Sequence, residues 1–153
     1  MLHAWRIVKR RHADNAFDGE GARLYGGRWN PPGRPAVYVS ESRALAALEV
    51  VAGLQSITVV PAYVLIGVSF DEELVTSPGL DDLPEGWTRY PPPPASQQFG
   101  AMWLEAQTSA VLRVPSVLVP EECNYLLNPR HADFDAIGIG EPEELRLDPR
   151  LLR

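Results

Sequence analysis

The 153-residue chain has one cysteine, Cys123, one lysine, Lys9, and three scattered histidines, His3, His12 and His131. A lone cysteine forms no internal disulfide, and histidines so placed offer no metal-ligand spacing, so neither a disulfide scaffold nor a zinc site is expected. No run of about 18 apolar residues occurs, which excludes a membrane-spanning helix. The N-terminus MLHAWRIVKRRH puts its charges after a very short apolar stretch, the reverse of a signal peptide, so the expected location is the cytoplasm. A Gly-Lys-Ser/Thr phosphate loop is missing too. Gly19-Glu20-Gly21-Ala22-Arg23-Leu24 lacks the third glycine and the strand-to-helix context of a dinucleotide fingerprint. All three histidines lie in polar or terminal contexts, which leaves a Ser-His-Asp triad without a base.

What is present suits one folded domain over residues 1–153: 45% of residues are hydrophobic and 22% charged. The net charge of −6 argues against nucleic acid as a direct partner, because backbone binding needs a basic face. The charge is unevenly spread. Residues 1–34 carry seven basic and three acidic groups, a balance of +4, and the remainder carries seven basic and seventeen acidic groups, a balance of −10. Thirteen of the fourteen basic residues are arginine, whose planar fork suits bidentate contact with phosphate or carboxylate.

Ala4 to Val8 reads as a short strand. Phe17 to Pro35 holds five glycines and three prolines, but its embedded Leu24, Tyr25 and Trp29 favour an ordered loop over a linker. Ala36 to Val39 is a strand signal, followed by Ser40 and Ser42 as competing caps for a helix over Glu41 to Gly53. The spacing puts Leu45, Leu48 and Ala52 on its apolar face, with Glu49 beside that face. Ile57 to Phe70 predicts a strand centred on Tyr63 to Val68, and the proline-rich Asp81 to Pro94 excludes a central strand. Ser96 then caps a helix over Gln97 to Gln107 that directs Phe99, Met102, Trp103 and Ala106 inward. Val111 to Val119 reads as a strand with an irregularity at Pro115, Asn124 to Asp133 as turn-rich, and Ala136 to Ile139 and Glu144 to Leu147 as short strands. Strand and helix signals mix without a regular βαβ repeat, which points to an α+β fold.

Four segments carry chemistry: Gly26-Gly27-Arg28-Trp29-Asn30, Val37-Tyr38-Val39-Ser40-Glu41-Ser42, Ala46-Ala47-Leu48-Glu49 and Leu112-Arg113-Val114-Pro115-Ser116. Taken singly, each has an ordinary structural reading. Glu49 suits a helix surface, Arg28 a loop pinned to carbonyls, Tyr38 a core aromatic and Ser116 a satisfied strand hydroxyl. Taken together and in this order, they resemble the RES-domain toxins, which pair with Xre-type antitoxins. The likeness extends from Trp5-Arg6-Ile7 through Asn124-Tyr125-Leu126-Leu127-Asn128-Pro129 to Asp148-Pro149-Arg150-Leu151.

The resemblance implies an ADP-ribosyltransferase-like mixed sheet with flanking helices, and cleavage of NAD at the nicotinamide–ribose bond. It places the family's arginine on Arg28, its tyrosine on Tyr38, its glutamate on Glu49 and its serine on Ser116, with Ser109 as the competing serine. NAD is then a substrate, and no prosthetic group or metal is implied. In this reading Arg28 clamps phosphate, helped by backbone N–H groups near Gly27, and Tyr38 offers its ring or its hydroxyl. Glu49 stabilises the developing oxocarbenium charge. Ser116 holds a carboxamide or a ribose hydroxyl, and Asn30, Ser40, Arg23 and Tyr25 support the site. The family further implies a cognate Xre-type antitoxin that makes any DNA contact, phosphate as a candidate co-substrate, and dimerisation. Transfer of ADP-ribose to a protein, and a non-catalytic nucleotide-binding module, are the competing readings.

Overall fold

The computed structural model describes residues 1–54 and 61–152, so the part of the Ile57 to Phe70 prediction before residue 61 lies outside the described residues. The elements are β1 (Leu2–Lys9), α1 (Glu20–Tyr25), β2 (Val37–Ser40), α2 (Arg43–Ala52), β3 (Tyr63–Phe70), β4 (Val75–Thr76), α3 (Pro94–Ala106), β5 (Val111–Pro115), β6 (Cys123–Leu127), β7 (Gly138–Ile139) and β8 (Glu143–Leu145). The strands form one sheet in the order β4-β5-β6-β2-β1-β3-β7, with β8 also paired to β3. The β4–β5 pair is parallel and the other pairs are antiparallel, so the sheet is mixed and the fold α+β. None of the described helices is long and apolar enough to cross a membrane.

Period-2 alternation sorts the side chains of β2, β5 and β6 onto two faces. Val37, Val39, Val111, Cys123, Tyr125 and Leu127 join Ala4, Val68 and Phe70 in one core, which Phe17, Leu74 and Phe134 from connecting segments help to cover. On the opposite face, Leu112, Val114 and Leu126 pack with Trp103 and Leu104 of α3 and with Trp29 of the long loop. Tyr38, Ser40 and Asn124 follow the same alternation on that second face, at the end of the sheet where β2 and β5 finish and β6 begins. The strands thus gather polar groups beyond an apolar floor.

Several elements differ from the sequence expectations. Cys123–Leu127 is a strand between β2 and β5 and not part of a turn; its register pairs Ser40 with Asn124 on one side and Val114 with Asn124 on the other. The predicted strand to Val119 stops at Pro115, which lacks the N–H to continue a ladder. Ser42, not Ser40, caps α2, its hydroxyl accepting from Leu45 N at 3.0 Å. Along α2 the residues that face inward are Leu45 and Ala46, with Glu49 and Val50 half-buried; Leu48 and Ala52 are exposed. In α3 the cap is Pro93 and Ser96 lies inside the helix; Phe99 and Trp103 do face inward, but Met102 and Ala106 are exposed.

The long loop is ordered because it is packed. Trp29, 2% exposed, stacks on Trp87 with centroids 6.0 Å apart and meets Phe99 edge-on at 5.8 Å. A Cβ at Gly100 would lie inside van der Waals contact of the Trp29 carbonyl, so glycine lets α3 touch the loop backbone directly. Gly100→Ala should therefore destabilise by about 2 kcal/mol or more through overpacking, although helix propensity alone favours alanine by roughly 0.5–1 kcal/mol. Chemical denaturation checks the sign, with exposed Met102→Ala as a control expected to stay within about 0.5 kcal/mol of the parent.

Candidate active site

The loop after α1 is braced from within. Asn30, fully buried, donates through Nδ2 to the carbonyls of Ala22 at 2.9 Å, Pro31 at 3.1 Å and Arg34 at 3.1 Å. Its Oδ1 accepts from the Tyr38 hydroxyl at 2.7 Å, and that hydroxyl in turn accepts from Trp29 N at 3.0 Å. Burial pushes the Tyr38 phenol far above its ordinary range, against smaller opposing pulls from its hydrogen bonds and from Arg28, so it stays neutral. Gly27 sits directly on this joint: a Cβ there would lie 2.7 Å from the Tyr38 hydroxyl and 3.0 Å from Asn30 Oδ1.

The loop, β2, α2 and the β5–β6 end enclose a cleft of about 510 Å³ whose lining includes Gly27, Arg28, Tyr38, Glu49 and Asn124. A recess of about 170 Å³ adjoins it and shares Tyr38, Glu49 and Asn124, adding Ser40, Ala46 and Val50. Glu49 reaches this position because α2 turns its 45–46–49–50 row toward the sheet. Glu49 Oε1 accepts from the Ser116 hydroxyl at 2.7 Å and from Asn124 Nδ2 at 3.0 Å. Asn124 Oδ1 accepts from the Ser40 hydroxyl at 2.7 Å. Ser116, fully buried, accepts from Leu118 N at 3.1 Å and Val119 N at 3.4 Å, a serine turn that commits its single proton to Glu49. Among the described residues no protein donor reaches Glu49 Oε2.

Arg28 is anchored in the same one-sided way. Both hydrogens of Nη1 are taken, by the carbonyls of Trp87 at 2.8 Å and Arg89 at 2.6 Å, whereas Nε and Nη2 have no protein acceptor among the described residues. Desolvation lowers its pKa, opposed by the charge of Glu49 and by Tyr38 and Tyr90. A second cation, Arg6, lines both cavities. The β1–β2 register is confined to the pair Trp5 and Ser40, and beside it Arg6 donates to Tyr38 O at 3.0 Å and to Ala16 O at 2.7 Å. Burial lowers its pKa to about 10, against the opposing charge of Asp18.

The structure therefore brings Arg28, Tyr38, Glu49 and Ser116 into one neighbourhood. Ser109 is elsewhere, accepting from Trp103 Nε1 and Thr76 Oγ1 and donating to Val111 O. Three expectations change. Asn30 does not line the cleft, since its carboxamide is spent on the loop. Ser40 reaches the site only through Asn124 and the recess. The N–H groups of Gly26 and Gly27 are bonded to Ala22 O and Asn30 O, so they offer nothing to an anion. Tyr25 lines the cleft and is 83% exposed, and Arg23 is paired with Glu20 at 2.7 Å. Sequence reasoning missed Arg6 and Asn124 as site residues. Arg6 looked like one more member of a basic stretch, and Asn124 lay in a segment read as a turn.

The cleft on this mixed sheet is lined by one carboxylate, Glu49, and two arginines, Arg6 and Arg28. The pattern of the family described as the RES domain matches residues 3–148, and the chain belongs to that family. It is 37% identical over 148 residues to "Toxin Res" of Yersinia enterocolitica serotype O:8 / biotype 1B, covering 96% of this chain and 97% of that protein. It is 39% identical over 156 residues to "Prs ADP-ribosylating toxin" of Sphingobium sp. (strain YBL2), covering 97% and 96%. In fold it is similar to a chain of the M. tuberculosis MbcT-MbcA toxin-antitoxin complex, with a TM-score of 0.70 at 21% identity over 94% of this chain and 84% of that one.

Tyr38→Phe should cost about 1–3 kcal/mol of stability, because it leaves Trp29 N and Asn30 Oδ1 without a partner. Denaturant titration reads this directly, and a loss below about 0.5 kcal/mol would show that the loop does not lean on this hydroxyl.

Proposed function

We propose that the protein cleaves NAD at the nicotinamide–ribose bond and is the toxin of a toxin–antitoxin pair. The observation that carries this reading is the pairing of two half-anchored charges in one cleft. Among the described residues, Glu49 is held by Oε1 with Oε2 unclaimed, and Arg28 is held by Nη1 with its Nε–Nη2 edge unclaimed. A guanidinium edge of that kind matches a phosphate bidentately, and a carboxylate oxygen matches a ribose hydroxyl. Arg6 adds positive potential beneath the same site.

The chemistry asks little more of the protein. The nicotinamide of NAD leaves as a neutral ring that takes the C–N bonding pair, so no general acid is required. The ribose carbon it leaves gains oxocarbenium character, which Glu49 stabilises more strongly as the bond lengthens. Water, or inorganic phosphate, then attacks that carbon and loses its proton, giving ADP-ribose or its phosphorylated form. One carboxylate is enough, unlike the pair that most glycosidases use. Tyr38 presents its ring, since its hydroxyl is engaged within the loop. Ser116 orients Glu49.

A second reading keeps this site and passes ADP-ribose to a protein. The name of the Sphingobium relative favours it, as does a cleft mouth with the exposed Tyr25 at its edge. An antitoxin partner is supported by the complex in which the M. tuberculosis neighbour was solved. That this partner is of the Xre type, and that the toxin dimerises, are parts of the same proposal.

Incubating the protein with NAD, with and without phosphate, tests both readings of the reaction. Free nicotinamide with ADP-ribose or phosphorylated ADP-ribose is expected, a labelled protein product would favour the second reading, and no nicotinamide release would contradict both. Glu49→Ala should lower nicotinamide release about a hundredfold or more with the fold intact. Arg28→Ala should act mainly by raising KM, as chromatographic initial rates will read.

A further inference from the structure

We infer that Asn124, held in turn by Ser40, is a positioning residue that sets the orientation of the Glu49 carboxylate; this rests on the reading of Glu49 as the reacting carboxylate. An ionised carboxylate only accepts, so the Asn124 group 3.0 Å from Glu49 Oε1 is its NH₂ and not its carbonyl. That choice turns Asn124 Oδ1 toward Ser40, and the Ser40 hydroxyl, 2.7 Å away, must donate. The carboxylate thus fixes the polarity of a three-residue chain that runs Ser40 to Asn124 to Glu49.

The fold makes this chain rigid. Ser40 and Asn124 are register partners across β2 and β6, so strand pairing sets their spacing. Asn124 also faces Val114 on β5, two residues before Ser116. Both donors to Oε1 therefore come from one end of the sheet, whereas Glu49 comes from α2. Ser116 alone leaves Glu49 free to pivot about a single contact. Asn124 supplies the second contact, and two donors on one oxygen define which way Oε2 points. An asparagine in a strand between two neighbours, where apolar β-branched residues are the norm, has this as its role.

The test uses full-length Asn124→Leu, Ser40→Ala, their double variant and Ser40→Thr. Ser40→Thr keeps the donor hydroxyl at a position that lines the 170 Å³ recess. Asn124→Leu should lower kcat for nicotinamide release by roughly 10- to 100-fold, and Ser40→Ala by about 10-fold, each with KM moving less than about twofold. The double variant should be no worse than Asn124→Leu alone, because both changes break one chain. Ser40→Thr should restore most of what Ser40→Ala loses. Unchanged kcat in folded single variants, or fully additive losses, would overturn the inference.

A readout independent of turnover separates this proposal from the functional one. In ¹⁵N-resolved spectra one Asn124 side-chain NH proton should be shifted downfield and exchange-protected, and both Ser40→Ala and Glu49→Gln should move it. An Asn124 amide that ignores both substitutions would end the positioning role. Should the parent protein release no nicotinamide while these spectral shifts occur, the functional reading fails and the relay stands.

Discussion

A carboxylate half-buried against a β-sheet needs donors, and the site depends on how Glu49 obtains them. Both arrive at Oε1, from Ser116 and Asn124. Hydrogen bonds to a charged group are worth about 1.5–3 kcal/mol each, enough to hold one rotamer against the freedom of a long side chain. The opposite oxygen keeps its capacity for a substrate. Had the two donors been split between the oxygens, the carboxylate would be equally well satisfied and much less useful.

The same logic governs Arg28. The structural reading of this residue, a guanidinium tying its loop to carbonyls, is correct in geometry: Nη1 spans Trp87 O and Arg89 O. It does not exclude a role in binding, because the Nε–Nη2 edge is the one that matches a phosphate. The packing of Trp29 between Trp87, Phe99 and the bare backbone at Gly100 keeps that loop in place. The Asn30–Tyr38 joint does so from below, so rigidity in the loop becomes rigidity in the arginine.

How far these features were legible in the sequence follows from which interactions are local. β1, β2, α2, β3 and α3 show their periodicity and lie close to where it puts them. The four segments around Arg28, Tyr38, Glu49 and Ser116 were visible, and the structure gathers them. What the sequence hid is non-local. Asn124-Tyr125 followed by Asn128-Pro129 has the composition of a turn, yet β6 is a strand because β2 and β5 supply partners on both sides. Missing that strand meant missing Asn124. Leu48 and Leu45 are equivalent by helical spacing, and only contact with β1 and β2 decides that the helix turns Glu49 inward and leaves Leu48 in solvent. Asn30 and Ser40 were read as ligand groups on residue type, whereas their hydrogen-bond partners are within the protein.

The most direct measurement of the central claim is a crystal structure of the Glu49→Gln protein with NAD. The account predicts the diphosphate on the Nε–Nη2 edge of Arg28 and the nicotinamide ribose within hydrogen-bond reach of the side chain at position 49. A dinucleotide bound away from both residues, with the cleft between them unused, would contradict it.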